Sequence, residues 1–229
     1  ELPGHSSAAV AAYPELSCGI KNRYEVVKTF GIFDNVFCPN EKTFRFLEDV
    51  FSEVAALFPG TYIHIGGDEC PKTAWKQCSH CQGLMKKLNL RDENQLQSYF
   101  IHEVEKIVNR QGKQIIGWDE ILDGGLAPNA TVMSWRGEKG GIEAAKSGHS
   151  VIMMPNADTY LNYYQEDPEY APIGSGSFLP IEQVYSYEPI PAQMNDRDKK
   201  YVLGMEAALW TPYMKNPDVV DYYMYPRFY

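Results

Sequence analysis

The sequence predicts an α/β fold: a TIM-type (β/α)8 barrel, N-terminally truncated, of which residues 1–229 supply the C-terminal two-thirds. Three observations predict it. Short apolar runs alternate with helical patterns along the chain, the signature of parallel strands joined by crossover helices. Nearly every run ends in acids or tryptophans: Asp68 and Glu69, then Trp118, Asp119 and Glu120, then Trp135 and Arg136, then Glu206 and Trp210. A barrel gathers all its strand C-termini around one mouth, whereas an open doubly wound sheet uses only a few at its switch point. Finally, no glycine-rich phosphate fingerprint follows any run, which weighs against a dinucleotide-binding sheet.

The elements follow in order. "ELPGH" (1–5) reads as the C-terminal tip of a strand. "NEKTFRFLEDVFSEVAALFPG" (40–60) reads as a helix with Asn40 as N-cap and a stop at Pro59-Gly60. Its apolar face carries Phe44, Leu47, Val50, Phe51, Val54 and Leu57, at helical spacing. "TYIHIGG" (61–67) is the first full strand. In "DENQLQSYFIHEVEKIVNRQGK" (92–113), Leu96, Phe100, Val104, Ile107 and Val108 recur with helical period before Gly112, a stop signal. "KQIIGWDE" (113–120), "ATVMSWRG" (130–137), "HSVIMMP" (149–155) and "YVLGMEAALW" (201–210) are the remaining strands. All five strands read as buried on both faces. "EKGGIEAAKSG" (138–148) is a short helix. Residues 156–200, with Pro168, Pro172, Pro180, Pro189 and Pro191, form a long loop-rich insertion, a kind of segment that is usually functional. "DVVDYYMYPRFY" (218–229) looks like a helix without a closing cap. The whole is expected to be one partial catalytic domain, 1–229, read from the middle of a longer chain, because its start has neither Met nor a signal-peptide pattern.

Composition narrows the function. Acids outnumber bases 30 to 21, a formal charge of −9, and no basic stripe is present, so nucleic acid is not an expected partner. No apolar run approaches the roughly 20 residues that span a bilayer. The 16 Tyr, 10 Phe and 4 Trp fit either a filled core or a site in which rings stack on sugar faces beside carboxylates. Cys78 and Cys81 have the spacing of half a zinc site, with Cys70 upstream and His80 as the nearby fourth ligand. A disulfide or free thiols fit that pattern better than a metal, so no metal and no cofactor is expected. Cys70 itself reads as a small buried residue.

Six motifs then become specific: "PGHSSAAVAAYPEL" (3–16), "HIGGDE" (64–69), "GWDEIL" (117–122), "SWRG" (134–137), "YLNYYQ" (160–165) and "EAALW" (206–210). In this order they resemble the β-N-acetylhexosaminidases, glycoside hydrolase family twenty. The resemblance implies exo-acting removal of terminal N-acetylglucosamine or N-acetylgalactosamine from glycans. It also implies substrate-assisted, retaining hydrolysis, in which the 2-acetamido oxygen attacks the anomeric carbon to form an oxazolinium ion. Glu69 then matches the general acid and later base. Asp68 matches the carboxylate that orients the acetamido group and stabilises its positive charge. Tyr160 matches the tyrosine that hydrogen-bonds the acetamido oxygen. Trp118, Trp135 and Trp210 match the walls of the sugar subsite. His5 and His64 are read as groups that fix the acid pair, with His5 the nearer to substrate. The two glycines before Asp68 are expected to admit close approach of the sugar.

Two positions depart from the family pattern. Asn162 stands where many members have Asp, and Pro212 where Glu follows "LWT"; Asn162 keeps its place among the substrate-binding residues, but the linkage preference is open. The family's sugar-gripping arginine and an acid that supports the catalytic pair are expected outside this stretch. A non-catalytic carbohydrate-binding fragment is the alternative. On its own the truncated barrel is expected to be inactive and to self-associate. Glycan scavenging implies a periplasmic, cell-surface or secreted setting.

Overall fold

The computed structural model describes residues 1–19 and 24–229. They divide into two compact units, Glu1–Val132 and Met133–Tyr229.

The first unit contains α1 (Ser7–Ala12), α2 (Glu41–Leu57), β1 (Tyr62–His64), α3 (Thr73–Gln77), α4 (Ser79–Leu88), α5 (Glu93–Arg110) and β2 (Gln114–Trp118). Strand β3 (Thr131–Ser134) runs across the junction. β1 pairs in parallel with β2, Ile63 opposite Ile115 and His64 opposite Ile116, so the three helices between them form the crossover that parallel pairing requires. Leu2 makes a single parallel bridge with Gly66, which gives the predicted strand tip at residues 1–5 its place beside the end of β1. Asn40 caps α2 as predicted, its side chain accepting from the Thr43 N–H at 2.9 Å. The apolar stripe of α2 is narrower than the periodicity suggests. Leu47 and Phe51 are buried, but Val50 and Leu57 are exposed, Leu57 by 74%. The helix leans on α5 along one line, where Phe44 meets Phe100 at 5.3 Å, and residues off that line face water. In α5 all five predicted apolar positions are buried.

The second unit holds the end of β3, then α6 (Lys139–Lys146), β4 (Val151–Met153), α7 (Asn156–Thr159), α8 (Ile181–Ser186), α9 (Asp196–Lys199), β5 (Val202–Met205) and α10 (Pro217–Met224). Met154 N–H donates to Ser134 O at 2.9 Å. β4 pairs in parallel with β5, with a bulge between Val151 and Ile152. The insertion at 156–200 carries the three short helices α7 to α9 and a Tyr164–Phe178 bridge. α10 is capped by Asn216, whose side chain accepts from Val219 N–H. Beyond it Arg227 turns inward, 3% exposed, and donates to the carbonyls of Leu161, Tyr163, Leu179 and Tyr223.

All five predicted strands exist, but not all are buried on both faces. β2, β3 and β4 are, apart from the start of β2 and the middle of β4. β1 and β5, the two ends of the strand order, leave Tyr62 44% and Leu203 54% exposed. An outermost strand lacks the neighbours that would cover it.

Candidate active site

In the first unit, the end of β1 sets the site. The chain leaves His64 through Ile65 and turns on Gly66 (φ 84°) and Gly67 (φ 98°), delivering Asp68 and then Glu69 at φ 43°. A Cβ on Gly67 would lie 2.4 Å from Ile121 Cγ2. The turn and the protein's own packing therefore already demand these glycines. Glu69 has no such freedom, and neither does His5 at φ 51°. Left-handed backbone at a residue with a Cβ is strained and concentrates where function holds it.

The two strained residues face each other. His5 Nε2 lies 3.3 Å from Asp68 Oδ2, 3.3 Å from Glu69 Oε2 and 3.8 Å from Glu1 Oε2. The hydrogen bond to Asp68 raises the His5 pKa above its usual value against the opposing effect of burial, and the nearby charges of Asp68, Glu1 and Glu69 add to the rise. Burial raises the Glu69 pKa, and the Asp68 charge raises it further, while His5 pulls it back. His5 thus sits at equal distance from both carboxylates, and burial together with the neighbouring acid favours the protonated form of Glu69. The other Asp68 oxygen, Oδ1, is buried and makes no hydrogen bond among the described residues.

Behind the pair, Gln97 Nε2 donates to Gly67 O at 2.6 Å. Lys72 Nζ donates to Cys70 O at 2.9 Å and to Gln97 Oε1. These two residues escaped the sequence reading. Gln97 alone left a signal, a polar side chain one turn before Ile101 on the buried face of α5. His64 Nδ1 accepts from Gly66 N–H at 3.1 Å, which places the ring proton on Nε2 and keeps the ring neutral; crowding by protein pushes its pKa down as well. Trp118, 6% exposed, meets His64 edge-on at 4.6 Å and donates from Nε1 to Glu1 Oε1 at 3.4 Å.

In the second unit, Ala208 N–H donates to Thr159 O and Leu161 N–H to Ala208 O, which lays "EAALW" beside Tyr160. Trp135 lies nearly parallel to Tyr160, 6.3 Å between centroids and 13° between planes. Trp210 lies 6.3 Å from Tyr160 at 58°. These three rings form one aromatic group with Trp210 at its exposed edge. Asn162, expected to meet sugar hydroxyls, is 2% exposed and accepts the Trp210 N–H at 3.3 Å, so it positions the indole's backbone. Arg227, unforeseen, ties down the carbonyls of Leu161 and Tyr163 on either side of it.

Among the described residues, two groups could hold a cation. Donor atoms of Glu1, His5 and Asp68 lie within 4.8 Å of one another, as do the sulfurs of Cys18, Cys38, Cys78 and Cys81. The predicted participants Cys70 and His80 lie outside the second group, His80 Nε2 being hydrogen-bonded to Pro39 O at 3.2 Å.

Among known proteins, the chain is 52% identical over 229 residues to a β-hexosaminidase of Porphyromonas gingivalis, matching 99% of this chain and 29% of that protein. It is 36% identical to a β-hexosaminidase of Vibrio furnissii, with 99% and 38% covered. A family 20 exo-β-N-acetylglucosaminidase from Vibrio harveyi, solved in complex with N-acetylglucosamine, superimposes with TM-score 0.83 at 33% identity over 99% of this chain and 36% of that one. A Flavobacterium johnsoniae chitobiase gives 0.85 at 32% identity over 99% and 33%. The chain spans less than half the length of these relatives. The fold is accordingly that of a (β/α) barrel. Matched from residue 1 to residue 229 by the catalytic domain of glycosyl hydrolase family 20, the chain belongs to that family.

Proposed function

We propose that the protein containing this chain is an exo-acting β-N-acetylhexosaminidase that releases non-reducing terminal N-acetylglucosamine or N-acetylgalactosamine with retention, through an oxazolinium intermediate. One observation carries the reading: Asp68 presents a buried oxygen without a hydrogen bond among the described residues, beside a Glu69 whose pKa is raised. A buried acceptor left unpaired costs roughly 1–3 kcal/mol, and an acetamido N–H is a donor that would relieve it. As the acetamido oxygen attacks the anomeric carbon, positive charge grows on the nitrogen, and the Asp68 carboxylate stabilises it. Glu69 in its protonated form gives the proton to the leaving glycosidic oxygen and then takes one from the water that opens the oxazolinium ring. Tyr160 is assigned the hydrogen bond to the acetamido oxygen, and Trp118, Trp135 and Trp210 the subsite walls. The substrates are glycans or glycoconjugates ending in N-acetylhexosamine, which suits a periplasmic, cell-surface or secreted setting.

The test uses the full-length protein with two leaving groups. Glu69→Gln should cost roughly 10²–10⁴-fold on a substrate whose leaving group needs a proton, yet spare one that departs unaided. Asp68→Asn should impair both. Equal losses for Glu69→Gln on the two substrates would overturn the assignment of roles.

A further inference from the structure

We propose that Cys18, Cys38, Cys78 and Cys81 form a structural zinc site. Their four sulfurs all lie within 4.8 Å of one another, and the Cys81 sulfur is 3.7 Å from both Cys18 and Cys38. A zinc ion about 2.3 Å from each of four tetrahedral sulfurs sets them about 3.8 Å apart. A disulfide needs about 2.05 Å and pairs its sulfurs two by two, whereas here one sulfur is equidistant from two others. All five cysteines are free thiols, and the fifth, Cys70, is not among the four.

The surroundings match a metal-bound thiolate set. Cys78 is the N-cap of α4, and its sulfur accepts the Cys81 N–H at 3.5 Å. A two-residue spacer followed by a backbone N–H directed at the first sulfur disperses thiolate charge, and the helix N-terminus favours it further. Cys38, Cys78 and Cys81 are buried in an apolar cluster with Val36, Trp75 and Leu96, against which Cys18 packs. On binding, Zn²⁺ displaces the thiol protons and leaves a group of formal charge −2, with no oxidation or reduction. The site would fasten the chain leaving α1 and the loop at Cys38 to the α3–α4 corner. Those are the segments that lead away from His5 and from the Asp68–Glu69 pair, so the metal would stiffen the frame of the acid pair without touching substrate.

The experiment takes the full-length protein, purified without chelator or metal-affinity resin, and measures metal by plasma mass spectrometry. About one zinc per chain is expected for a closed four-sulfur site. Cys38→Ser and Cys81→Ser should lose it and Cys70→Ser should keep it. Should the serine variants fail to fold, cobalt exchanged into the unmutated protein must give the charge-transfer and d–d spectrum of a tetrahedral thiolate site. Background zinc in the unmutated protein, a disulfide among the four by intact mass, or equal metal loss in Cys70→Ser would each overturn the proposal. Iron in place of zinc would overturn the choice of ion.

Discussion

His5 sits between two carboxylates whose proposed tasks differ, and its charge decides how they differ. It holds Asp68 in an ion pair while it lowers the proton affinity of Glu69. Replacing it by glutamine removes a cation that stabilises the Glu69 carboxylate, so the Glu69 pKa should rise further. The acid would then stay protonated to higher pH, and the alkaline limb of kcat/KM should move upward in His5→Gln. A limb that stays in place or moves down would show that His5 does not couple to Glu69. Stability has its own sign. Because the folded pKa of His5 is raised, the ion pair contributes fully below the unfolded value of about 6.5 and is lost as pH rises through the folded value. The melting advantage of the unmutated protein over His5→Gln should therefore be largest below about pH 6.5 and fade above it, and a flat difference would refute the ion pair. The placing of Asp68, Glu69, Trp118 and Trp135 at or just past strand ends could be read from sequence because each stands next to a short apolar run, whereas Trp210 lies beyond the end of β5 at Met205. The hidden Asp68 oxygen and the left-handed backbone at His5 and Glu69 could not, since both arise from how the chain folds back on itself.

The acid pair lies on a turn, and a turn keeps its shape only if something holds it. α5 supplies that hold through Gln97, which grips Gly67 O and also accepts from Lys72. Gln97→Leu keeps the volume but leaves a buried carbonyl and an ammonium short of a partner. It should destabilise the first unit by about 1–3 kcal/mol, read by chemical denaturation, and lower kcat more than it raises KM. A fall in stability without any kcat effect would separate the clamp from the chemistry. Arg227 plays the equivalent part in the second unit, donating to four carbonyls. Arg227→Ala should cost on the order of 3 kcal/mol, and a loss within 0.5 kcal/mol, the size of an ordinary surface substitution, would contradict the clamp. Helix α5, which presents Gln97, was readable from its period, as was α2 with its Asn40 cap. The clamps were not, because a lone Gln or Arg carries no periodic signal. Burial of β1 and β5 was misjudged for a related reason. An apolar run specifies a strand, but not its place in the strand order, and Tyr62 and Leu203 are exposed because their strands stand at the ends of it.

The same distinction governs the molecule as a whole. Six motifs spread over the chain were enough to give the family, since each is local. The cysteine cluster was half visible, because Cys78 and Cys81 share a local spacing while Cys18 and Cys38 join them from distant parts of the chain. What the chain does when expressed alone follows from its exposed strands. β5 presents Leu203 and Met205 at 54% and 42% exposure, and β1 presents Tyr62 at 44%, near Leu57 and Phe58 at 74% and 64% in the preceding segment. Outer strands with apolar side chains offer unpaired backbone groups and a surface that another copy can cover. Residues 1–229 expressed alone should therefore self-associate, eluting from size-exclusion columns at a position that shifts with concentration and scattering light as more than one mass. A charge on the open strand opposes such pairing. Leu203→Lys should thus move the distribution toward monomer, while a lysine on an already polar helix surface, as in Glu53→Lys, should not. A single monomeric species at all concentrations, or association indifferent to Leu203→Lys, would show that these strand surfaces are not what brings the copies together.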